Sequence, residues 1–154
     1  MMQMKTLDEW FEEYAQSHQN PTNKKIHFVA VPIIYATVIG IFWSLPTPWN
    51  ASLNWSILMT LPVLVFYFFL SPRVALGMGC LSMLIILFCF WLEQFLGVNI
   101  LWLSVITFVI AWIFQFIGHH IEGKKPSFLK DIFFLLIGPA WVLCYAYRRW
   151  GIRY

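Results

Sequence analysis

Charge is what this sequence has least of. Asp, Glu, Lys and Arg make up 11% of its 154 residues, against 60% hydrophobic and 19% aromatic. Water-exposed domains carry about a quarter charged residues, so the composition excludes an ordinary soluble fold and reads as an integral membrane protein. The deficit is also local. No Asp, Glu, Lys or Arg occurs between Lys25 and Arg73, between Arg73 and Glu93, or between Glu93 and Glu122. Each interval holds a spanning helix of about 20 residues, and the first holds two, divided by the turn-rich PTPWNASLN at 46–54. The expectation is an all-α polytopic membrane bundle with four spanning helices near 27–45, 55–71, 74–93 and 100–121.

Other absences narrow the function. The three cysteines, Cys80, Cys89 and Cys144, form no CxxC pair, so neither a thiolate metal site nor a disulfide framework is supported. There is no phosphate-binding glycine loop, internal repeat or low-complexity linker, and one membrane domain over 1–154 is expected. The net charge of +3 comes from basic residues at helix ends, which membrane orientation accounts for without a nucleic-acid partner. Oligomeric state stays open, a homo-oligomer included.

The N-terminus lacks a basic segment leading into an apolar core, so no signal peptide is expected. TLDEWFEEYAQSH instead offers a capping box at Thr6 and Glu9, followed by Leu7, Trp10, Phe11 and Tyr14 at helical spacing. Residues 1–22 thus read as an amphipathic cytoplasmic helix whose aromatic stripe packs on the bundle, with His18 continuing that stripe. At the other end, the apolar segment within 128–147 carries Gly138-Pro139 at its middle and is short for a span. It reads as a kinked fifth span or a re-entrant segment. The second keeps Arg148, Arg149 and Arg153 on the side of Lys24, Lys25, Arg73, Lys124, Lys125 and Lys130, which the positive-inside rule makes cytoplasmic.

All four histidines, His18, His27, His119 and His120, fall at that margin. Spacing puts Trp112, Gln115, His119 and Glu122 on one helical face, while His120 points about 100° away and shares a site with His119 only if the helix frays near Gly123 and Pro126. A histidine at a helix C-terminus also serves as a simple cap, favoured by the helix dipole. Yet imidazoles gathered at one rim are what a metal site needs. They suit Fe, Zn, Cu or Ni, and a carboxylate from Glu122 or Asp131 can complete an iron site with open positions. Asn20 and Asn23 are candidates to hydrogen-bond an imidazole, and Lys124 and Lys125 to attract a carboxylate or simply to anchor the protein at the cytoplasmic face.

Tyr14, His18, Asn23 and His27, followed by Pro32, together with Trp112, Gln115, Gly118-His119, Glu122, Lys124-Lys125-Pro126 and Gly138-Pro139, resemble a family of small membrane proteins. Its fungal member is a 2-hydroxy fatty acid dioxygenase of phytosphingosine breakdown. The most specific parts are YxxxHxxxxNxxxH at the front and QFxGHxxE with KKP behind. The resemblance implies an Fe(2+)-dependent α-oxidation in which a long-chain 2-hydroxy fatty acid, with O2 as oxidant, yields the acid one carbon shorter. The implied ligands are His18, His27 and His119, with His120 adjacent; Tyr14, Asn23, Gln115, Glu122, Lys124 and Lys125 would support them or meet the substrate carboxylate. The implied setting is a bacterial-type inner membrane or the endoplasmic reticulum membrane, with the metal on the cytoplasmic side and the tail of the substrate among membrane lipid.

Two other classes stand beside this one. A bis-histidine haem or other electron-transfer protein needs imidazoles facing each other across the bundle rather than gathered at one rim. A transporter or structural protein would use the histidines as caps, but the span interiors lack the paired ionisable groups of a transport path.

Overall fold

The computed structural model describes residues 5–49 and 53–154, which form six α-helices, one 3-10 turn and no strand. Helix α1 covers Leu7–Ala15. Its capping box is made, with Glu9 N–H donating to Thr6 Oγ1 and the Glu9 carboxylate accepting from Thr6 N–H at 2.6 Å. Nine residues cannot hold a helix in isolation. Packing does so here: Leu7, Trp10, Phe11 and Tyr14 are all buried, each worth about 1.5–3 kcal/mol on removal from water.

Helix α2, Pro21–Trp43, starts six residues before the expected 27. The Asn20 side chain accepts from Thr22 and Asn23 N–H, and Pro21 fits the first turn, where its missing N–H costs nothing. The Asn-Pro pair is therefore a helix start, and Asn23 and His27 stand one turn apart on it. Helices α3, Trp55–Leu70, and α4, Pro72–Leu96, meet at Ser71, which ends the first and caps the second. Helix α5, Ile100–Glu122, is capped by Asn99 and closed by Gly123 at φ 71°, a left-handed conformation that glycine adopts without penalty. The 3-10 turn Ser127–Leu129 leads to α6, Phe134–Arg149.

Three of these helices, α2, α4 and α5, are long and apolar enough to cross a membrane; α3 is apolar but shorter, at 16 residues. Large apolar side chains such as Phe69, Leu76, Leu84, Phe95 and Trp102 are more than half exposed. Such a surface is untenable in water and suits lipid contact.

Helices α2 and α5 run antiparallel, with His27 beside His119 at one end and Gly40 against Ser104 at the other. Helix α4 lies alongside α2, joined by Tyr35 Oη to Ser82 Oγ at 2.7 Å and by Trp43 Nε1–H donating to Glu93 at 3.1 Å. Helix α6 touches only the histidine end of the bundle. Near its start, Leu136 O accepts from Tyr67 Oη at 2.7 Å; near its finish, Tyr147 Oη donates to Arg73 O at 3.1 Å. Tyr67, Val74, Met78, Ile137, Ala140 and Cys144 form the core beneath it, with α1 laid on top.

Candidate metal centre

His18 follows α1 directly, its ring stacked on Tyr14 with centroids 4.0 Å apart. Its Nδ1 is 2.7 Å from Tyr14 O, and His27 Nδ1 is 3.0 Å from Asn23 O. A carbonyl only accepts, so both Nδ1 atoms carry the proton and both Nε2 atoms present a lone pair. This is how a protein sets the tautomer of a metal-binding imidazole.

His119 completes the group from α5, with its Nε2 3.1 Å from His27 Nε2. All three rings are buried, and one nitrogen from each lies within 4.8 Å of the others. Imidazole–metal bonds of about 2.0–2.1 Å put two nitrogens on one ion at most about 4.2 Å apart, and the His27–His119 pair at 3.1 Å meets this as it stands.

The donor set fits a metal for two further reasons. His18 Nε2 is buried with no hydrogen-bond partner, and such an orphaned group costs about 1–3 kcal/mol unless something satisfies it. Burial also lowers the His18 pKa to about 4, despite the opposing pull of the Tyr14 carbonyl, so the ring is neutral and able to ligate near pH 7.

The imidazoles are held by a network that reaches across the sequence. Glu122 accepts from Gln19 N–H and Asn20 N–H, both at 2.8 Å, and from Asn23 Nδ2–H at 3.0 Å. Asn23, fully buried, also donates to Ser17 O at 3.1 Å. Gly118 leaves room for it, because a Cβ there would overlap Asn23 Oδ1. One carboxylate thus ties the end of α5 to the turn between α1 and α2, which carries His18 and leads to His27.

Two sequence expectations are corrected here. Glu122 and Asp131 do not complete the metal group: the first spends its oxygens on three donors, and the second accepts from Phe133 N–H at 3.0 Å. His120 is exposed and outside the group, since α5 stays helical through Glu122 and turns the ring outward. Lys124 donates to Gln16 O at 2.6 Å, while Lys125 and Lys130 are exposed; all three border a side pocket of about 290 Å³.

A cavity of about 340 Å³ runs from the histidines between α2, α3 and α5. Along α2 it is lined from His27 to Phe42, a rise of about 22 Å at 1.5 Å per residue. Tyr14, Trp112 and Gln115 line it too, and apart from the histidines, Gln115, the Trp112 N–H and a few hydroxyls its walls are apolar. Sequence reasoning missed this cavity and the fold-back of Phe128 onto Trp112, with ring centroids 5.2 Å apart. It also missed Ser17 and Ser127, whose hydroxyls lie 2.5 Å apart across 110 residues. No local pattern announces contacts of that range.

Over residues 4–150 the chain matches the family described as 2-hydroxy-palmitic acid dioxygenase Mpo1-like, and it belongs to that family. No curated protein and no solved structure matches it.

Proposed function

We propose that this protein is an Fe(2+)-dependent dioxygenase of fatty acid α-oxidation, taking a long-chain 2-hydroxy fatty acid and O2 to the fatty acid one carbon shorter. The observation that carries the reading is the position of three buried imidazoles at one end of a largely apolar cavity that extends along α2. A site for a polar head and a long tail has this form. The length of the cavity, about 22 Å along α2, exceeds one leaflet of a bilayer core, roughly 15 Å. A haem-type electron carrier finds no support in such a shape.

His18, His27 and His119 would hold the iron, which supplies the activation of O2 and the charge to bind a hydroxy-carboxylate. Glu122 and Asn23 keep the turn carrying His18 in register with His27 and His119. Lys124, Lys125 and Lys130 border the side pocket, which shares Ser127 and Phe134 with the cavity; their charge would draw an anionic head toward it.

Four spans, α2 to α5, with α1 and α6 on the cytoplasmic face, complete the proposal. Two features favour it. Helix α3 is apolar and runs into the spanning helix α4 through Ser71, and the α6 hydrogen bonds to Tyr67 and Arg73 lie at the end of the bundle where α3 passes into α4, the end that carries Arg73.

The test is direct. Detergent-purified protein loaded with Fe(2+) without oxygen, then given O2 and 2-hydroxypalmitate, yields a C15 acid by mass spectrometry, while His18→Ala, His27→Ala and His119→Ala yield none. Iron-replete wild-type protein that leaves 2-hydroxy acids of several lengths untouched refutes the reading.

A further inference from the structure

Polar groups lining the cavity mostly have partners within the protein. Tyr35 Oη meets Ser82 Oγ, Ser56 Oγ donates to Asn54 Oδ1, Thr60 Oγ1 donates to Ser56 O, and Ser127 Oγ meets Ser17 Oγ. Outside the histidines, Trp112 Nε1 and Gln115 Oε1 differ. Both are buried and neither has a hydrogen-bond partner. They stand three residues apart on α5 and line the same cavity as His119, one further turn along the same face. The indole N–H can only donate and the amide oxygen can only accept. An orphan donor and an orphan acceptor lining one cavity, one turn apart on one helix, have a specific complement. A hydroxyl both donates and accepts; a carboxylate only accepts, and a methylene does neither.

We infer that Trp112 and Gln115 form a hydroxyl-reading pair, which recognises a hydroxyl near the head of the bound acyl chain and distinguishes it from the unsubstituted acid. The inference rests on the proposed function for the class of ligand, but the recognition is built from protein atoms and does not require the metal. Polar atoms that remain orphaned beside an analogue lacking its hydroxyl make such a site far more selective than apolar contact can. The surrounding aromatics reinforce it. Phe108, Phe116 and Phe128 pack on the Trp112 ring, at centroid distances of 6.0, 5.6 and 5.2 Å, and fix where its N–H points. These positions set specificity and orientation and carry out no bond-making.

The test uses full-length, metal-free protein in micelles. 2-Hydroxypalmitate and palmitate compete separately against a fluorescent fatty acid, so that partition into detergent is common to every variant. Wild-type protein is expected to prefer 2-hydroxypalmitate by about 10-fold or more, and to distinguish its two enantiomers, because the pair would fix the hydroxyl while the cavity fixes the tail and its histidine end the carboxylate. Trp112→Phe and Gln115→Leu, which keep the aromatic and aliphatic bulk, are expected to bring both ratios close to one while palmitate still binds. Phe114→Leu, on the exposed side of α5, should leave both ratios as in wild type. Wild-type ratios near one, or ratios unmoved by both pair substitutions, overturn the inference. Turnover by the iron-loaded protein is scored separately: discrimination without turnover defeats the proposed reaction and leaves the pair standing, and turnover without discrimination does the reverse.

Discussion

Replacing Gly118 by alanine adds a single methyl group at the most crowded point of the site. The new Cβ would overlap Asn23 Oδ1 and lie 3.4 Å from His27 Cε1 and 3.5 Å from Asn23 Cγ. Asn23 cannot simply swing aside, because it is fully buried and its Nδ2 is committed to Ser17 O and Glu122. If it stays, the helices part, at about 1–3 kcal/mol for overpacking. If it turns, the side-chain connections to Ser17 O and Glu122 break, and the turn that carries His18 loses its tie to α5. Either response moves an imidazole whose placement depends on its neighbours, and loss of such support weakens metal binding by about 10–100-fold. That corresponds to about 1.4–2.7 kcal/mol less stabilisation by a fixed excess of ion. The assay is thermal unfolding of chelator-stripped protein with and without Fe(2+), alongside a metal titration. Gly40→Ala is the matched control, since its Cβ overlaps Ser104 Oγ on the same helix pair but at the opposite end. It should lower the stability of the metal-free protein and leave the metal-induced gain intact. Equal metal-induced gains in Gly118→Ala and wild type would refute the reasoning.

Two other outcomes follow from the same structure. Glu122→Ala removes the acceptor of three hydrogen bonds and should weaken metal binding by about 10–100-fold, with Glu122→Gln intermediate because one oxygen remains, and exposed His120→Ala unchanged; titration of each purified variant decides it. In a cysteine-free background, a cysteine at exposed Lys125 should resist an impermeant thiol reagent applied to intact cells and react once the membrane is opened, and labelling from outside would reverse the proposed orientation.

Much of this was legible in the sequence because a membrane leaves so few choices. Charge-free intervals located α2 to α5, and helical spacing put His119 on a face with Gln115 and Trp112. The start of α2 was misread because Asn20-Pro21 serves equally as a stop and as a start, and only the contact of the Asn20 side chain with the following N–H groups decides between them. His120 is adjacent to His119 in sequence and most of a third of a turn from it in space, a distinction that depended on the helix staying regular to Glu122. Glu122 was seen as a ligand candidate for its chemistry. Its actual partners, Gln19, Asn20 and Asn23, sit about a hundred residues away, where no periodicity reaches. The cavity is likewise a property of three helices packed together, and residues such as Val38 and Met59 carry no mark of lining it.

The separation of 92 positions from His27 to His119 also sets an order of events during synthesis. At about 5–20 residues per second, roughly 5–20 s separate the emergence of these two imidazoles. Throughout that interval His18 and His27 exist as half a cluster, and the Glu122 that will fasten their turn has yet to be made. On the proposed function, an ion could therefore be gripped only after α5 is in place. Metal capture would then report that the helices between them have closed on their neighbours, and a chain stalled at α3 or α4 would stay empty and without the stabilisation that binding to the folded form confers.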